Sequence, residues 1–376
     1  MKKIIILFII FILSSFVIYK FNYKEDNIEV LKEENEVEKE FKSVFISYID
    51  YSLLKGKSSD EQKIIIDEMI ENISLFGLNN IILQVRPFAD AIYESKYFLS
   101  SSKVVLKEGD KLELDILDYF IKKSHEKNIS IYAWVNPYRI RNSNNIEDVG
   151  DNSLFKDWFG SEKIINNDEG IFFNPNNDEV LDLILNGIKE IVLNYDVDGI
   201  LYDDYFYPDV DDDVDKVSVI NELIKETNSI IKNNSDDVLF GISPSGNIES
   251  NLEEEYLDVN YIINNNYIDF IIPQIYYGFS NQYKPFIKTL EEWNNISNNI
   301  NLYPALSLYK AGNVDKYAGV GSNEWIDNTD IIKKQIVVSR GYSNYKGFAI
   351  YRYSNLFIDN NDNLVKEIEN IKSVMD

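Results

Sequence analysis

The sequence predicts a (β/α)₈ barrel, and three observations predict it. Eight short apolar or β-branched runs recur between residues 44 and 353, separated by helical patterns, so that strand and helix alternate along the chain as in a parallel sheet. The runs are mostly apolar on both parities, as strands buried on both faces must be. Eight such units within about 330 residues fit a closed barrel with long loops. An open doubly wound sheet would call for a glycine-rich phosphate turn after the first strand, and Tyr48–Lys55 is not one.

In chain order, the first element is an export segment at 1–19. Lys2 and Lys3 precede an apolar run from Ile4 to Tyr19, softened only by Ser14 and Ser15. A positive start followed by such a run marks secretion or anchoring. The run is a little short of the roughly 20 residues that span a bilayer. No small-x-small cleavage site follows, which favours a retained anchor over a cleaved signal, with the lysines inside and the rest exported. Membrane contact is expected through this segment alone, and the protein is expected outside the cytoplasm, anchored or secreted. Residues 20–42 are charged and lack an apolar stripe, which reads as a solvated stalk. The barrel is expected over 43–376.

Its strands are expected at 44–50, 80–87, 129–137, 197–205, 238–244, 268–276, 301–309 and 346–353. The helices between them are expected near 60–76, 113–127, 178–194, 215–233, 251–265, 284–298 and 328–339, and a last one covers about 360–375.

Composition removes several kinds of chemistry. The 376 residues include no cysteine and a single histidine, His125, so thiolate nucleophiles and His-rich metal sites are out of reach. Acid–base work must fall to carboxylates, tyrosine or lysine. The net charge of -26 is opposite to what a nucleic-acid binder needs, and it reads as a solvated surface. No cofactor or metal is expected. The run Asp209 to Asp215 lacks the glycine and terminal glutamate of a calcium loop and reads as an acidic loop capping the helix that starts near Asp215. His125, at the end of the second helix, reads as a residue in contact with the helix dipole.

In a barrel of this kind the active site lies at the C-terminal ends of the strands. Those ends offer Tyr48 and Asp50, then Gln84, Arg86, Asp90 and Tyr93. The third strand offers Trp134, Asn136, Tyr138 and Arg139, and the fourth Tyr202, Asp203, Asp204, Tyr205 and Tyr207. The later strands add Ser243, Ser245, Gln274, Tyr276, Tyr277, Tyr309, Tyr351, Arg352 and Tyr353. Sugars suit such a rim: their C–H faces stack on aromatic rings and their hydroxyls bond amides, arginine and carboxylates. Glycosidic cleavage needs two carboxyl groups across the bond. Strand parity puts Leu201, Asp203 and Tyr205 on one side, so Asp203 is the expected nucleophile or base. Asp204 or Asp90 is the expected acid. A separation near 5 Å between the two carboxyls would predict retention of configuration. Gln84 and Arg86 share parity and, with Asn136 and Gln274, are expected to bind hydroxyl or N-acetyl groups. Tyr138, Tyr205 and Tyr276 complete the expected binding surface. Asp198, at the start of the fourth strand, reads as structural.

The segments KSVFISYIDY, NNIILQVRPFADAIYESKYF, YAWVNPYRI, YDVDGILYDDYFYP, FGISPSG and IDFIIPQIYY resemble the blocks of glycoside hydrolase-like family 10. The resemblance runs from about Ser43 to Asn355. It implies an exported (β/α)₈ glycosidase acting on cell-wall or exopolysaccharide glycan; the family includes a division-associated enzyme that cleaves denuded peptidoglycan strands. By matched motifs it points at Asp203, Asp204, Gln84, Arg86, Asp90, Asn136, Tyr138, Gln274 and Tyr276. Two loops depart from the pattern: Asn247-Ile248-Glu249 stands where a Trp-Arg pair is common, and the loop after Pro208 is short and acidic. The expected function is therefore a glycoside hydrolase, with a non-catalytic glycan-binding barrel as the alternative and a surface scaffold behind both.

Overall fold

The computed structural model describes residues 39–144, 146, 149–150, 153–203 and 206–375. The segment at 1–19 and most of the 20–42 stalk lie outside the described residues. From Phe41 onward the chain forms one compact unit. The first strand begins at Phe41, inside the range expected for the stalk, because Phe41 is needed in the barrel interior.

The barrel strands are β1 (Phe41–Ile46), β2 (Asn80–Arg86), β3 (Ser130–Val135), β4 (Gly199–Asp203), β5 (Leu239–Ser243), β6 (Phe270–Ile271), β7 and β8 (Gly347–Tyr351). Strand β7 is two segments, Asn301–Leu302 and Ala305–Ser307. All pair in parallel in the order β1 to β7, and β8 lies between the second segment of β7 and β1. This closes the sheet on itself and leaves no free edge. The break in β7 falls at Tyr303-Pro304, since proline has no N–H to donate to a ladder. The first segment pairs with β6 and the second with β8.

Helices over Ser59–Phe76, Ile116–His125, Asp178–Asn194, Lys216–Asn234, Phe286–Ile296, Ile331–Ser339 and Asp362–Lys372 cover the outside. The first of them shows why these stretches are helical. Ser58 and Glu61 form a reciprocal capping box at its start. Ile66, Met69, Ile70 and Ile73 recur at helical spacing and are buried against the strands. Gly77 ends it with φ 89°.

Two further parts differ from expectation. The helix expected at 251–265 is two short ones, Ile248–Glu253 and Val259–Asn264, because Tyr256 takes a left-handed conformation (φ 56°) and Asp258 caps a new start. The stretch after β3 also holds an antiparallel sheet of Arg139–Arg141, Gly170–Phe173 and Ile164–Asn167. Its strands are too short to carry a readable alternation.

The barrel interior is filled by aromatic rings. Phe41 stacks on Tyr303 at 4.1 Å, and Tyr132 meets Phe41 and Phe270 edge-on at 5.2 and 5.4 Å. Nearer the C-terminal ends of the strands, Phe45 meets Trp134 at 5.4 Å. Two glycines make room for this packing. A Cβ on Gly199 would sit 2.5 Å from the Tyr132 ring, and one on Gly241 would sit 2.2 Å from Phe270.

At the N-terminal ends of the strands, a polar residue just before one strand accepts the N–H of a residue in the strand before it. Asn79 takes the N–H of Lys42 at 2.9 Å, Asp198 that of Ile131 at 2.7 Å, and Asp269 that of Phe240 at 2.7 Å. Asp198 also meets His125 Nε2 at 2.9 Å, and Asp269 accepts from Lys232 at 2.8 Å. His125 thus serves this end of the barrel, and Asp198 is structural, as its place in the sequence suggests.

Candidate active site

A cavity of 390 Å³ opens at the C-terminal ends of the strands. Its walls come from inward-facing positions: Phe45, Gln84, Trp134, Asn136, Asp203 and Ser243, with Gln274, Tyr276, Tyr309, Tyr351 and Arg352 around the rim. Leu201 lies in the inner core and Asp203, two residues on, reaches the cavity, so these two share a side as read from the sequence.

Asp203 is nearly buried, 4% exposed, and is the last residue of β4. Gln274 Nε2 donates to its Oδ1 at 2.7 Å. Gln274 is itself fixed by its backbone, whose N–H donates to Pro244 O at 2.9 Å and which bridges Ser245 and Ala305 on either side. Asn136 donates to the Asp203 carbonyl at 2.9 Å, and its Oδ1 accepts from Gln84 Nε2 at 2.6 Å and Arg139 Nη2 at 3.3 Å. Gln84 Oε1 accepts the N–H of Tyr48 at 2.9 Å. A relay of amides therefore runs across the floor from β1 to β4 and holds the end of β4 in place. Gln84 and Asn136 spend their amide oxygens on this frame.

The other wall is built by β8 and the loop after β1. Arg352 lines the cavity and donates to Asp50 at 2.9 Å. Asp50 is 1% exposed and also accepts from Ser47 and from the N–H of Ser354, so it is a structural anchor between two loops. Burial raises the hydroxyl pKa of Tyr309 to about 12, and that of Tyr351 further still, so both phenols remain hydrogen-bond donors. Two polar atoms on the cavity wall, Trp134 Nε1 and Ser243 Oγ, have no partner among the described residues. Both atoms are closed off from solvent, and such groups are costly to leave unpaired.

Three expected site residues lie elsewhere. Arg86 is fully buried and stacks at 4.2 Å on Phe98, and a Cβ on Gly187 of the helix Asp178–Asn194 would touch its guanidinium. The cause is a register shift: Gln84 pairs with Trp134 but Arg86 with Val135, so the shared parity of Gln84 and Arg86 is broken and Arg86 faces the helix layer. Burial lowers its pKa. Tyr138 is fully buried among the outer core residues. Asp90 is 1% exposed and accepts from Ser101 Oγ at 2.6 Å; burial raises its pKa, and it is not part of the cavity wall. Asp204 and Tyr205 lie outside the described residues. Gln84, Asn136, Asp203, Gln274 and Tyr276 do come together. Arg139, Arg352 and Asn355 join them without a role read from the sequence. The Ser47–Asp50 turn that seats Arg352 is formed by residues some 300 positions away, which no local pattern signals.

Among the described residues no group of three or more His, Cys, Asp or Glu is placed to hold a metal. In the acidic loop, Asp212 accepts from Tyr207 at 3.0 Å and pairs with Lys216 at 3.4 Å, while Asp215 caps the next helix through the N–H of Ser218.

The model of the glycosyl hydrolase-like 10 family matches residues 40–219 and 211–319. The chain belongs to that family. Among curated relatives, glycosyl hydrolase YngK of Bacillus subtilis is 28% identical over 324 residues, covering 73% of this chain and 62% of the relative. The chain thus spans less than two thirds of that protein. Glycosyl hydrolase DigH of Escherichia coli is 24% identical over 356 residues, covering 82% of this chain and 79% of the relative. In fold, this member resembles the glycoside hydrolase domain of PgaB from Bordetella bronchiseptica, with a TM-score of 0.54, 10% identity and coverage of 90% and 98%. It also resembles an endo-1,4-β-mannanase from Rhizomucor miehei, with a TM-score of 0.54, 13% identity and coverage of 89% and 94%.

Proposed function

We propose that this family member is an exported glycoside hydrolase acting on a bacterial cell-wall or exopolysaccharide glycan, with peptidoglycan strands as the first candidate. The observation that carries the reading is Asp203, a nearly buried carboxylate at the C-terminal end of β4, oriented by Gln274 inside a cavity walled by aromatic rings and amides. A carboxylate so placed suits the nucleophile or water-activating base of glycosidic cleavage. Asp204, its chain neighbour, is assigned the acid role, since Asp90 is not on the cavity wall. Tyr309 and Tyr351, phenol donors on the cavity wall, are assigned to sugar hydroxyl or N-acetyl groups. The apolar run from Ile4 to Tyr19 supports export and membrane attachment. The names of YngK and DigH, both glycosyl hydrolases, agree with hydrolysis.

A glycan-binding barrel without turnover is the second reading. What favours it is that Asp203 is the sole carboxylate on the cavity wall among the described residues. The test is the release of new reducing ends from peptide-stripped peptidoglycan and from a panel of other bacterial glycans, with Asp203→Asn and Asp204→Asn proteins beside the wild type. Cleavage that disappears in Asp203→Asn supports the hydrolase. Retention of glycan without cleavage by the wild type would move the assignment to a binding module.

A further inference from the structure

A second cavity of 430 Å³ lies beside the first and shares two wall residues with it, Gln274 and Tyr276. The two cavities therefore adjoin at these residues. The second is bounded by Tyr277, Tyr283, Tyr317, Lys284 and Lys310.

Two features of this cavity are not explained by packing. Tyr283 and Tyr317 are 66% and 87% exposed, so neither ring contributes to the core. Yet the loops that carry them are braced with care. Buried Asn281 accepts the N–H groups of both Tyr283 and Lys284 at 3.0 Å. Asp315 accepts the N–H of Tyr317 at 3.2 Å and pairs with Lys310 at 2.7 Å, and Lys310 donates to Tyr276 O at 2.7 Å. The two loops are also tied to each other: Gln282 donates its N–H to Ala318 O at 3.0 Å, and its side chain accepts the N–H of Val320 at 3.2 Å. Glu324 accepts the N–H groups of Phe279 and Ser280 at 3.0 and 2.8 Å. Rings held in water on a fixed backbone lose little freedom when something stacks on them. The C–H face of a sugar ring fits that description, and the Lys284 ammonium, with the Glu255 carboxylate on the same wall, suits sugar hydroxyls.

We propose that this second cavity is a further glycan-binding subsite, with Tyr283 and Tyr317 as stacking platforms, so that the protein engages a polysaccharide chain running out of the Asp203 cavity rather than a short sugar. The occupant is the continuation of the same chain, because the cavities meet at Gln274 and Tyr276. The inference rests on the glycan reading of the first cavity and adds to it a preference for length.

The test compares wild-type protein with the Tyr283→Ala/Tyr317→Ala double variant. Both side chains are exposed, so folding is expected to survive, and the thermal melt checks it. Long peptide-stripped peptidoglycan strands and their tetrasaccharide fragments serve as probes. Expected are a rise of about tenfold in KM for long strands, little change in kcat, and unchanged kinetics on the tetrasaccharide. Equal kinetics of the two proteins on both probes would overturn the subsite while leaving the hydrolase intact. If the wild type cleaves neither probe, the hydrolase reading fails and retention of long strands decides the subsite. Retention by the wild type that weakens in the double variant upholds it. Equal retention, or none, overturns it.

Discussion

The two ends of the barrel are built from the same strands and hold their polar groups differently. At the N-terminal end, Asn79, Asp198 and Asp269 each accept a backbone N–H from the preceding strand, and Asp198 and Asp269 add a basic partner. At the C-terminal end, Gln84, Asn136 and Gln274 hold one another and Asp203, while Trp134 Nε1 and Ser243 Oγ lack partners among the described residues. One end turns these acceptors to the strands and the helix layer; the other turns Asp203, Gln274 and Arg352 towards a cavity. A buried polar group without a partner costs free energy, and the tight far end helps offset that cost.

Substitutions can break or sharpen this contrast. Asp203→Asn should lower the rate about a thousandfold while leaving the melting temperature unchanged or raised, since it removes a nearly buried charge from the open end. A large loss of stability instead would show Asp203 to be structural. Gln274→Ala should lower kcat about 10- to 100-fold with the fold retained, because Asp203 loses its orienting donor; circular dichroism and initial rates read both. Asp198→Ala should do the opposite. It removes acceptors from Ile131 and His125 and should cost about 1–3 kcal/mol, seen as a lower melting temperature with kcat per folded molecule unchanged. Arg86→Met should likewise leave the chemistry largely intact, with a rate within about twofold of wild type, because Arg86 faces helix rather than cavity. A large loss of rate there would return Arg86 to the site.

The barrel was legible because its strands are short apolar runs at regular spacing, and the place of Asp203 on the cavity wall was legible because β4 keeps its alternation from Leu201 to Asp203. Alternation fails where the backbone departs from it. The register shift between Gln84 and Arg86 sends the arginine outward, although the sequence there reads as one unbroken strand. Tyr138 looks like rim from the sequence and is core in the fold, since the antiparallel sheet that follows β3 covers it; the Phe173 N–H bonds its carbonyl at 2.8 Å. Pro304 splits a strand that the apolar run presents as continuous. The Asp50–Arg352 pair joins the two ends of the chain, and contacts of that kind leave no trace in local composition.

The aromatic packing inside the barrel has a consequence for the path of water. Phe45 and Trp134 lie between the cavity and the lower group of Phe41, Tyr132, Phe270 and Tyr303, and Gly199 and Gly241 let those rings pack without a gap. This stack fills the barrel axis beneath Asp203 with aromatic rings. The mouth is the route by which solvent meets that carboxylate. A polymer seated across the mouth would narrow the same route, so the water that completes hydrolysis would have to enter beside the chain it cleaves.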